Sequence, residues 1–222
     1  MPSQDPAIIF SRGDIYSRQI ALTYDCGSES SYAGEILDIL NNHGVRATFF
    51  VTGEWAENNA EISRRIVSEG HEIGSHSYDH TDLTQLTWEN LIKQIINADL
   101  SIYRVTGKGS RPLFRLPFGS YSPQVLDTLG IMGYKYCIHW SLETMDYRQK
   151  SAALITDRVL SQARNGDIAR MHVAGKGTAE ATDLVAAELK QQGYELVTVG
   201  NMLDAHLRGI QKLYRNVPNR QG

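Results

Sequence analysis

The 222-residue sequence is short of cysteine, of excess charge and of long apolar runs. Its two cysteines, Cys26 and Cys137, do not make the disulfide framework of a small secreted domain. A total of 22 Lys and Arg against 25 Asp and Glu gives a net charge of -3, which argues against a nucleic-acid-binding protein. Because no apolar run is long enough to span a bilayer, insertion into a membrane is not expected either.

The start of the chain, MPSQDPAIIF, also lacks the charged and apolar segments of a signal peptide. We therefore expect a cytoplasmic protein as the chain stands, and an extracellular or cell-envelope protein if it is a mature fragment. The compartment stays open between the two. Nothing in the sequence indicates an oligomeric state.

Glycine punctuates the chain at intervals that suggest helix ends. Six glycines each follow a helix-like stretch and precede a short apolar run: Gly44, Gly70, Gly107, Gly133, Gly166 and Gly193. Glycine adopts the left-handed conformation after a helix at no steric cost, so each of these predicts a helix stop. Seven strands are predicted around them, at 19–24, 46–51, 71–75, 113–116, 134–139, 167–172 and 194–199.

Helical patterns fill the spaces between these strands. Apolar residues recur at helical spacing in 32–43, 87–106 and 178–192, where we expect Leu184, Val185 and Leu189 to face inward. The alternation predicts one α/β domain with a parallel sheet, either open and doubly wound or closed into a barrel. Both architectures place functional residues at the carboxyl ends of the strands.

Two histidines follow the third predicted strand. His76 and His80 stand four residues apart, which would put both imidazoles on one face if the segment were helical. That spacing is typical of zinc and similar sites, although two unrelated surface histidines would give the same pattern. Their position at a strand end beside other ionisable groups favours a metal site.

Carboxylates, an arginine and a histidine end other predicted strands. Asp25 follows an apolar strand and would serve as a general base, a metal ligand or a helix cap. Arg115 would orient that carboxylate or form a structural salt bridge. Asp146 and His172 would form a carboxylate–imidazole pair that suits the histidine to protonate a leaving amine.

Together these residues resemble the five motifs of the polysaccharide deacetylases, carbohydrate esterase family 4. The family's TFDDG, H-S/T-x-x-H, RPPYG-like, DxxDW and LxH motifs have counterparts in TYDCG at 23–27, HSYDH at 76–80, RLPFG at 115–119, ETMDY at 143–147 and RMH at 170–172. The resemblance runs from about residue 19 to 203. It implies a distorted, incomplete (β/α)7 barrel similar to a TIM barrel, with 1–18 as an N-terminal extension, 19–205 as the catalytic domain and 206–222 as a basic C-terminal tail.

The resemblance also implies a function. It is that of a metal-dependent hydrolase removing acetyl groups from an N-acetylated or O-acetylated polysaccharide or amino sugar, so a carbohydrate is the expected partner. One divalent metal is implied, with zinc as the first choice and cobalt, nickel or manganese as alternatives. His76 and His80 would be its ligands.

Each motif assigns a role to a residue of this chain. Asp25 would be the base that deprotonates the attacking water, held in its ionised form by Arg115. His172, supported by Asp146, would protonate the departing amine. In the third motif, the backbone N–H of Phe118 would be a preorganised hydrogen-bond donor that stabilises the oxyanion.

Departures from the motifs concern the metal and the acyl pocket. Cys26 replaces an aspartate that is the third metal ligand in the family; it would either bind the metal as a thiolate or point into the core, leaving weaker metal binding. Arg170 replaces a leucine of the acetate pocket, which suggests a different acyl group or an anionic contact with substrate. Glu143 and Tyr147, the latter lining the acyl pocket in place of tryptophan, are milder changes.

These departures keep two other functions open. One is an amidase, deformylase or imidase acting on a small molecule, which the altered acyl pocket would suit. The other is a carbohydrate-binding pseudoenzyme with a decayed metal site.

Overall fold

A computed structural model describes residues 5–27, 29–148 and 150–215, with the side chains of 212–215 left aside. Its strands are β1 (Ile8–Phe10), β2 (Gln19–Cys26), β3 (Thr48–Val51), β4 (Glu72–Ser75), β5 (Leu113–Phe114), β6 (Tyr136–Ile138), β7 (Leu142–Glu143), β8 (Ile168–His172) and β9 (Glu195–Val197). Its α-helices are α1 (Ala33–Asn42), α2 (Gly53–Asn58), α3 (Ala60–Ser68), α4 (Trp88–Thr106), α5 (Pro123–Ile131), α6 (Ala152–Gln162), α7 (Thr178–Gln191) and α8 (Val199–Arg215). None of the helices in the described ranges is long and apolar enough to cross a membrane.

The strands form one parallel sheet in the order β1-β6-β5-β4-β3-β2-β8-β7, and β9 pairs with the start of β2. The order ends at β1 and β7, and these two edges do not pair within the described part of the chain. A curled parallel sheet that stops short of closure, with helices on its outside, is the incomplete barrel expected from the motifs. The predicted fold class is confirmed.

All seven predicted strands are present, and two short ones were not foreseen. β1 lies in the predicted N-terminal extension and adds an edge strand beside β6. The helix α8 crosses the predicted boundary between the domain and the basic tail, and residues 216–222 of that tail lie outside the described residues. The division into three parts remains a prediction.

Local sequence signals set the helix ends. All six predicted helix-stop glycines have positive φ, between 63° and 86°. Thr87 caps α4 by accepting a hydrogen bond from the N–H of Asn90 at 3.4 Å, and Ser122 caps α5 in the same way. One prediction about α7 is wrong: Leu184 is 39% exposed, whereas Val185 and Leu189 are buried. The inward face of α7 is formed by Thr182, Val185, Ala186 and Leu189 and leaves Leu184 outside it.

Apolar side chains fill the barrel at the amino ends of the strands and leave the end at the carboxyl ends open. Strand residues that face the interior, Ala21, Phe50, Leu113, Ile138 and Ile168, pack against Val199, Met202 and Leu203 of α8. The first N–H groups of α8 donate to side chains at the start of β3 and β4, since Val199 bonds Thr48 at 2.9 Å and Gly200 bonds Glu72 at 2.9 Å. This helix start closes the amino ends of the strands, so the accessible end is the carboxyl one.

Candidate active site

A cavity of about 450 Å³ opens at the carboxyl ends of the strands. It is lined by Asp25, Gly27, His76, His80, Leu116, Phe118, Tyr147, Arg170 and His172. Seven of the ten predicted site residues thus meet in one pocket. Arg115 and Asp146 are buried behind it, and Cys26 does not line it.

Arg115 is fully buried and holds the carboxylate of Asp25. Its Nη1 donates to Asp25 Oδ1 at 2.7 Å and to Thr23 Oγ1 at 2.8 Å. Its Nε donates to the carbonyl of Ile138 at 3.1 Å, and Nη2 reaches the carbonyl of His139 at 3.4 Å. The guanidinium therefore ties the end of β5 to β2 and β6, and it fixes one oxygen of Asp25.

The other oxygen of Asp25 faces two imidazoles. Asp25 Oδ2 lies 3.8 Å from His172 Nε2 and 4.0 Å from His76 Nε2. Burial opposes ionisation of Asp25, but the charge of Arg115, then those that His76 and His172 carry when they are protonated, outweighs it and lowers the pKa of the carboxyl to about 2. Asp25 is consequently a carboxylate at neutral pH.

The segment that carries the two predicted metal ligands is a loop and not a helix. Ser77 and His80 both have positive φ, 69° and 67°, which turns the chain sharply after β4. This turn, and not the helical spacing, brings the rings of His76 and His80 to a centroid distance of 4.7 Å. The proximity predicted for the pair is present, but the reason given for it was wrong.

The two imidazoles have the chemistry of metal ligands. His76 Nδ1 lies 2.7 Å from the carbonyl of Arg115, which accepts its proton and leaves a lone pair on Nε2 toward the pocket. Burial lowers the pKa of His76 to about 4 and also lowers the pKa of His80, so both rings are neutral at pH 7. They fit two positions of a divalent metal site. Across the described ranges, however, no three His, Cys, Asp or Glu side chains are grouped so as to hold a metal ion.

Cys26 lies on the opposite side of β2 from Asp25. Successive side chains of a strand point to opposite faces of the sheet. Because Asp25 points into the pocket, Cys26 points into the core. The thiol is fully buried within the apolar cluster that includes Val51 and Trp55, and burial raises its pKa. Of the two readings of Cys26 that the sequence left open, this placement matches the buried, non-ligand one.

Asp146 holds His172 through several hydrogen bonds. His172 Nδ1 lies 2.8 Å from Asp146 Oδ1, and the backbone N–H of His172 donates to Oδ2 at 2.6 Å. The hydroxyls of Thr178 and Thr144 donate to the same carboxylate at 2.8 and 3.2 Å. Burial lowers the pKa of His172, but the bond to Asp146 and the charge of Asp25 more than compensate, so its pKa is raised.

Phe118 stands at the mouth of the pocket in a strained conformation. Its φ is 59°, which a bulky side chain rarely adopts and which is most often found at functional sites. The ring is 64% exposed and packs edge-on against His80 at 4.7 Å. On the other side of the pocket, Tyr147 packs edge-on against His172 at 5.3 Å.

Arg170 lies beneath His172 on β8 and forms an ion pair with Glu143 of β7. Its guanidinium stacks on the ring of Trp140, with Cζ 3.7 Å from the ring centroid. Trp140 and the two threonines that bind Asp146 carry no role in the sequence analysis. Trp140 follows a predicted strand and could have been singled out for that reason, whereas nothing near Thr178 in the sequence marks it as a partner of Asp146.

Proteins with sequences similar to this chain include peptidoglycan deacetylases. The sequence profile of the polysaccharide deacetylase family matches residues 13–137. The chain is 36% identical over 198 residues to the peptidoglycan-N-acetylglucosamine deacetylase PgdA of Listeria monocytogenes, covering 89% of this chain and 41% of that protein. It is 33% identical over 197 residues to the peptidoglycan-N-acetylmuramic acid deacetylase PdaA of Bacillus subtilis, covering 87% of this chain and 74% of the relative. The chain thus spans about two fifths of the Listeria relative.

One similar solved structure is that of a protein described as a pseudoenzyme and not as a deacetylase. It is BA3943 of Bacillus anthracis, a CE4 family pseudoenzyme by its description. The two chains share 29% sequence identity and superpose with a TM-score of 0.84, over 90% of this chain and 69% of the other. The same barrel therefore occurs in proteins described as deacetylases and in one described as a pseudoenzyme.

Proposed function

Because this chain belongs to the polysaccharide deacetylase family, we propose that it hydrolyses the acetamido group of an N-acetylated sugar in a glycan. One observation carries this proposal: a carboxylate and an imidazole lie side by side in the pocket, and each is held from behind by its own partner. Asp25 is fixed by Arg115, and His172 is fixed by Asp146. Asp25 Oδ2 and His172 Nε2 are 3.8 Å apart, so a base and an acid lie next to each other where one reacting centre can reach both.

Asp25 acts as the base. Arg115 occupies Oδ1, so Oδ2 is the oxygen that accepts a proton from the attacking water. The low pKa of Asp25 keeps it ionised across the neutral range.

His172 acts as the acid. Its Nδ1 bonds Asp146, so Nε2 faces the pocket and carries the proton that the departing amine requires. The raised pKa of His172 keeps a larger share of the imidazole protonated near neutral pH than an unperturbed histidine would have.

His76 and His80 would hold a divalent metal, and we propose zinc. Deacetylases of this family are generally metal-dependent. When bound, such a metal lowers the pKa of water and polarises the acyl carbonyl. The backbone N–H of Phe118 would add a donor for the oxygen that becomes negatively charged. With Cys26 in the core, two imidazoles are the protein ligands, and we expect the metal to bind more weakly than at a three-ligand site.

Acetate release from two glycans tests the proposal. N-acetylated chitooligosaccharides and peptidoglycan are incubated with the protein after chelator treatment, with and without added zinc. The expected result is acetate release that requires zinc and that Asp25→Asn abolishes. Asp183→Asn, which changes an exposed carboxylate on α7 paired with His43, is the matched control and should behave as wild type. Zinc bound at full occupancy without acetate release from either glycan would overturn the proposal.

The placement of Cys26 favours one alternative, a glycan-binding pseudoenzyme. The thiol is buried among apolar side chains, and BA3943, of the same fold, is described as a pseudoenzyme. Calorimetric binding of chitooligosaccharides without acetate release, at any zinc or cobalt concentration, would support this alternative over the hydrolase.

A further inference from the structure

Two departures from the family motifs meet in space. Glu143 and Arg170 lie 27 residues apart in sequence but occupy partner positions in the pairing of β7 with β8. There the Arg170 guanidinium donates from Nη2 to Glu143 Oε2. Arg170, which replaces the family's leucine, therefore has Glu143 of the neighbouring motif as its counter-ion. The two departures act together as one ion pair.

This ion pair forms part of the pocket wall. The Arg170 side chain is 13% exposed, and that remaining surface lines the cavity with Leu116 and Tyr147. One face of the guanidinium is covered by Trp140 at 3.7 Å, and one edge is used by Glu143. In the register of β2 with β8, Arg170 stands opposite Thr23 and His172 stands opposite Asp25. Arg170 therefore lies one layer below the reacting groups, where the tail of the acyl group would point.

On the basis of the proposed function, we propose that Arg170 makes this site select a hydroxyacetyl (glycolyl) amide of an amino sugar over an acetyl amide. A methyl group pressed against the guanidinium would remove its last contact with water and return no hydrogen bond. A hydroxyl at the same carbon would accept a hydrogen bond from the guanidinium, and bonds to charged donors are among the stronger ones.

The charge balance of the pocket argues for a neutral hydroxyl and against a carboxylated acyl group. Glu143 already neutralises Arg170, and Asp25 supplies a further negative charge in the same cavity. A carboxylate on the acyl tail would meet, at this wall of the pocket, a guanidinium whose charge Glu143 already neutralises. The reaction is otherwise unchanged: water adds to the acyl carbon and gives a proton to Asp25, the C–N bond breaks, the amine leaves with a proton from His172, and hydroxyacetate is released.

A comparison of two amides measures the selectivity. Oligosaccharides of N-glycolylglucosamine and of N-acetylglucosamine are given to the zinc-loaded wild type and to Arg170→Leu, which restores the family's residue. We expect kcat/KM to favour the glycolyl substrate by about tenfold or more in the wild type, and the preference to vanish or reverse in Arg170→Leu. Because the single change leaves Glu143 without its counter-ion, Glu143→Gln with Arg170→Leu is measured as well, so that poor folding of one variant does not decide the test.

Arg158→Leu is the matched control. Arg158 is exposed on α6 and donates to the backbone carbonyl of Glu143 at 2.8 Å, outside the cavity. Its removal deletes a neighbouring arginine but leaves the acyl pocket intact, so the ratio of the two kcat/KM values should stay at the wild-type level. A preference near one in the wild type, or an equal preference in wild type and Arg170→Leu, would refute the proposal.

Binding of the product acids separates this proposal from the proposed function. Calorimetry on the zinc-loaded protein should show hydroxyacetate binding about tenfold more tightly than acetate, and the difference should shrink in Arg170→Leu but not in Arg158→Leu. If neither amide is hydrolysed but this binding preference is present, the hydrolase function fails and the selectivity of the pocket stands. If both amides are hydrolysed and the two acids bind alike in all variants, the selectivity fails and the hydrolase function stands.

Discussion

Removal of the Arg115 guanidinium should destabilise the protein, because it leaves the buried carboxylate of Asp25 without a counter-ion. Asp25 is only 6% exposed, and Arg115, which is fully buried, is the cation in contact with it. Breaking a buried ion pair from one side costs about 3–5 kcal/mol, because the remaining charge is neither solvated nor paired. For a domain of this size each kcal/mol lowers the melting temperature by about 2–4 °C, so Arg115→Met should melt about 6–20 °C below wild type. Methionine is chosen because it fills much of the apolar volume of the arginine stem.

The double variant Asp25→Asn with Arg115→Met isolates the charge. With no carboxylate left unpaired, it should be more stable than Arg115→Met alone, although the bonds of Arg115 to Thr23 and to two backbone carbonyls stay lost. Thermal unfolding followed by circular dichroism on metal-free protein, with urea titration at 25 °C as a second measure, gives the coupling free energy.

The same pair should make the penalty depend on pH. The folded pKa of Asp25, about 2, is below its unfolded value of 3.8. Its ionisation therefore stabilises wild type fully above pH 4, and this stability is lost as the pH falls toward 2. In Arg115→Met the buried carboxyl takes up a proton more readily, so the difference between variant and wild type should shrink on acidification. An additive double variant and a penalty that does not vary with pH would refute the coupling of Asp25 to Arg115.

Two further predictions concern Cys26 and His172. Because the thiol lies in the core, Cys26→Ala should leave the zinc affinity unchanged in a chelator competition. Cys26→Asp should lower the melting temperature, since it buries an unpaired carboxylate. A tenfold loss of zinc affinity in Cys26→Ala would contradict this placement. Since protonated His172 is the proposed acid and its pKa is raised, kcat/KM should fall as the pH rises through that pKa, and Asp146→Asn should move this fall to lower pH by removing the anion that stabilises the imidazolium. An unchanged basic limb in Asp146→Asn would show that His172 is not the group that titrates.

Much of the fold was predictable because helix stops and strands leave local signals. The six glycines with positive φ and the apolar runs after them predicted the seven main strands of a parallel sheet, and the family resemblance predicted the incomplete barrel. β1 and β7 escaped prediction because segments of three and two residues are too short to show a period. Both are held by pairing with neighbours distant in the sequence, β6 and β8, which no local pattern reveals.

The site was predictable in its membership but not in its geometry. Strand ends and motifs identified the residues that gather in the pocket, and the resemblance to polysaccharide deacetylases is confirmed by the family profile. The loop at 76–80 was taken for a possible helix because spacing alone cannot reveal two residues with positive φ. The placement of Cys26 was within reach, since β2 continues to Cys26 and strand alternation then separates it from Asp25. The Glu143–Arg170 pair was not, because it depends on the register of two strands.

The rate of acetate release by Asp25→Asn tests the central claim most directly. Wild type, Asp25→Asn and the control Asp183→Asn are brought to equal zinc content, confirmed by metal analysis, and initial rates are measured on N-acetylated chitooligosaccharides. The account predicts that Asp25→Asn keeps its zinc but loses about 10²–10⁴-fold in rate, the usual contribution of a general base, while the control matches wild type. Acetate release by Asp25→Asn at the wild-type rate would contradict the assignment of Asp25 as the base.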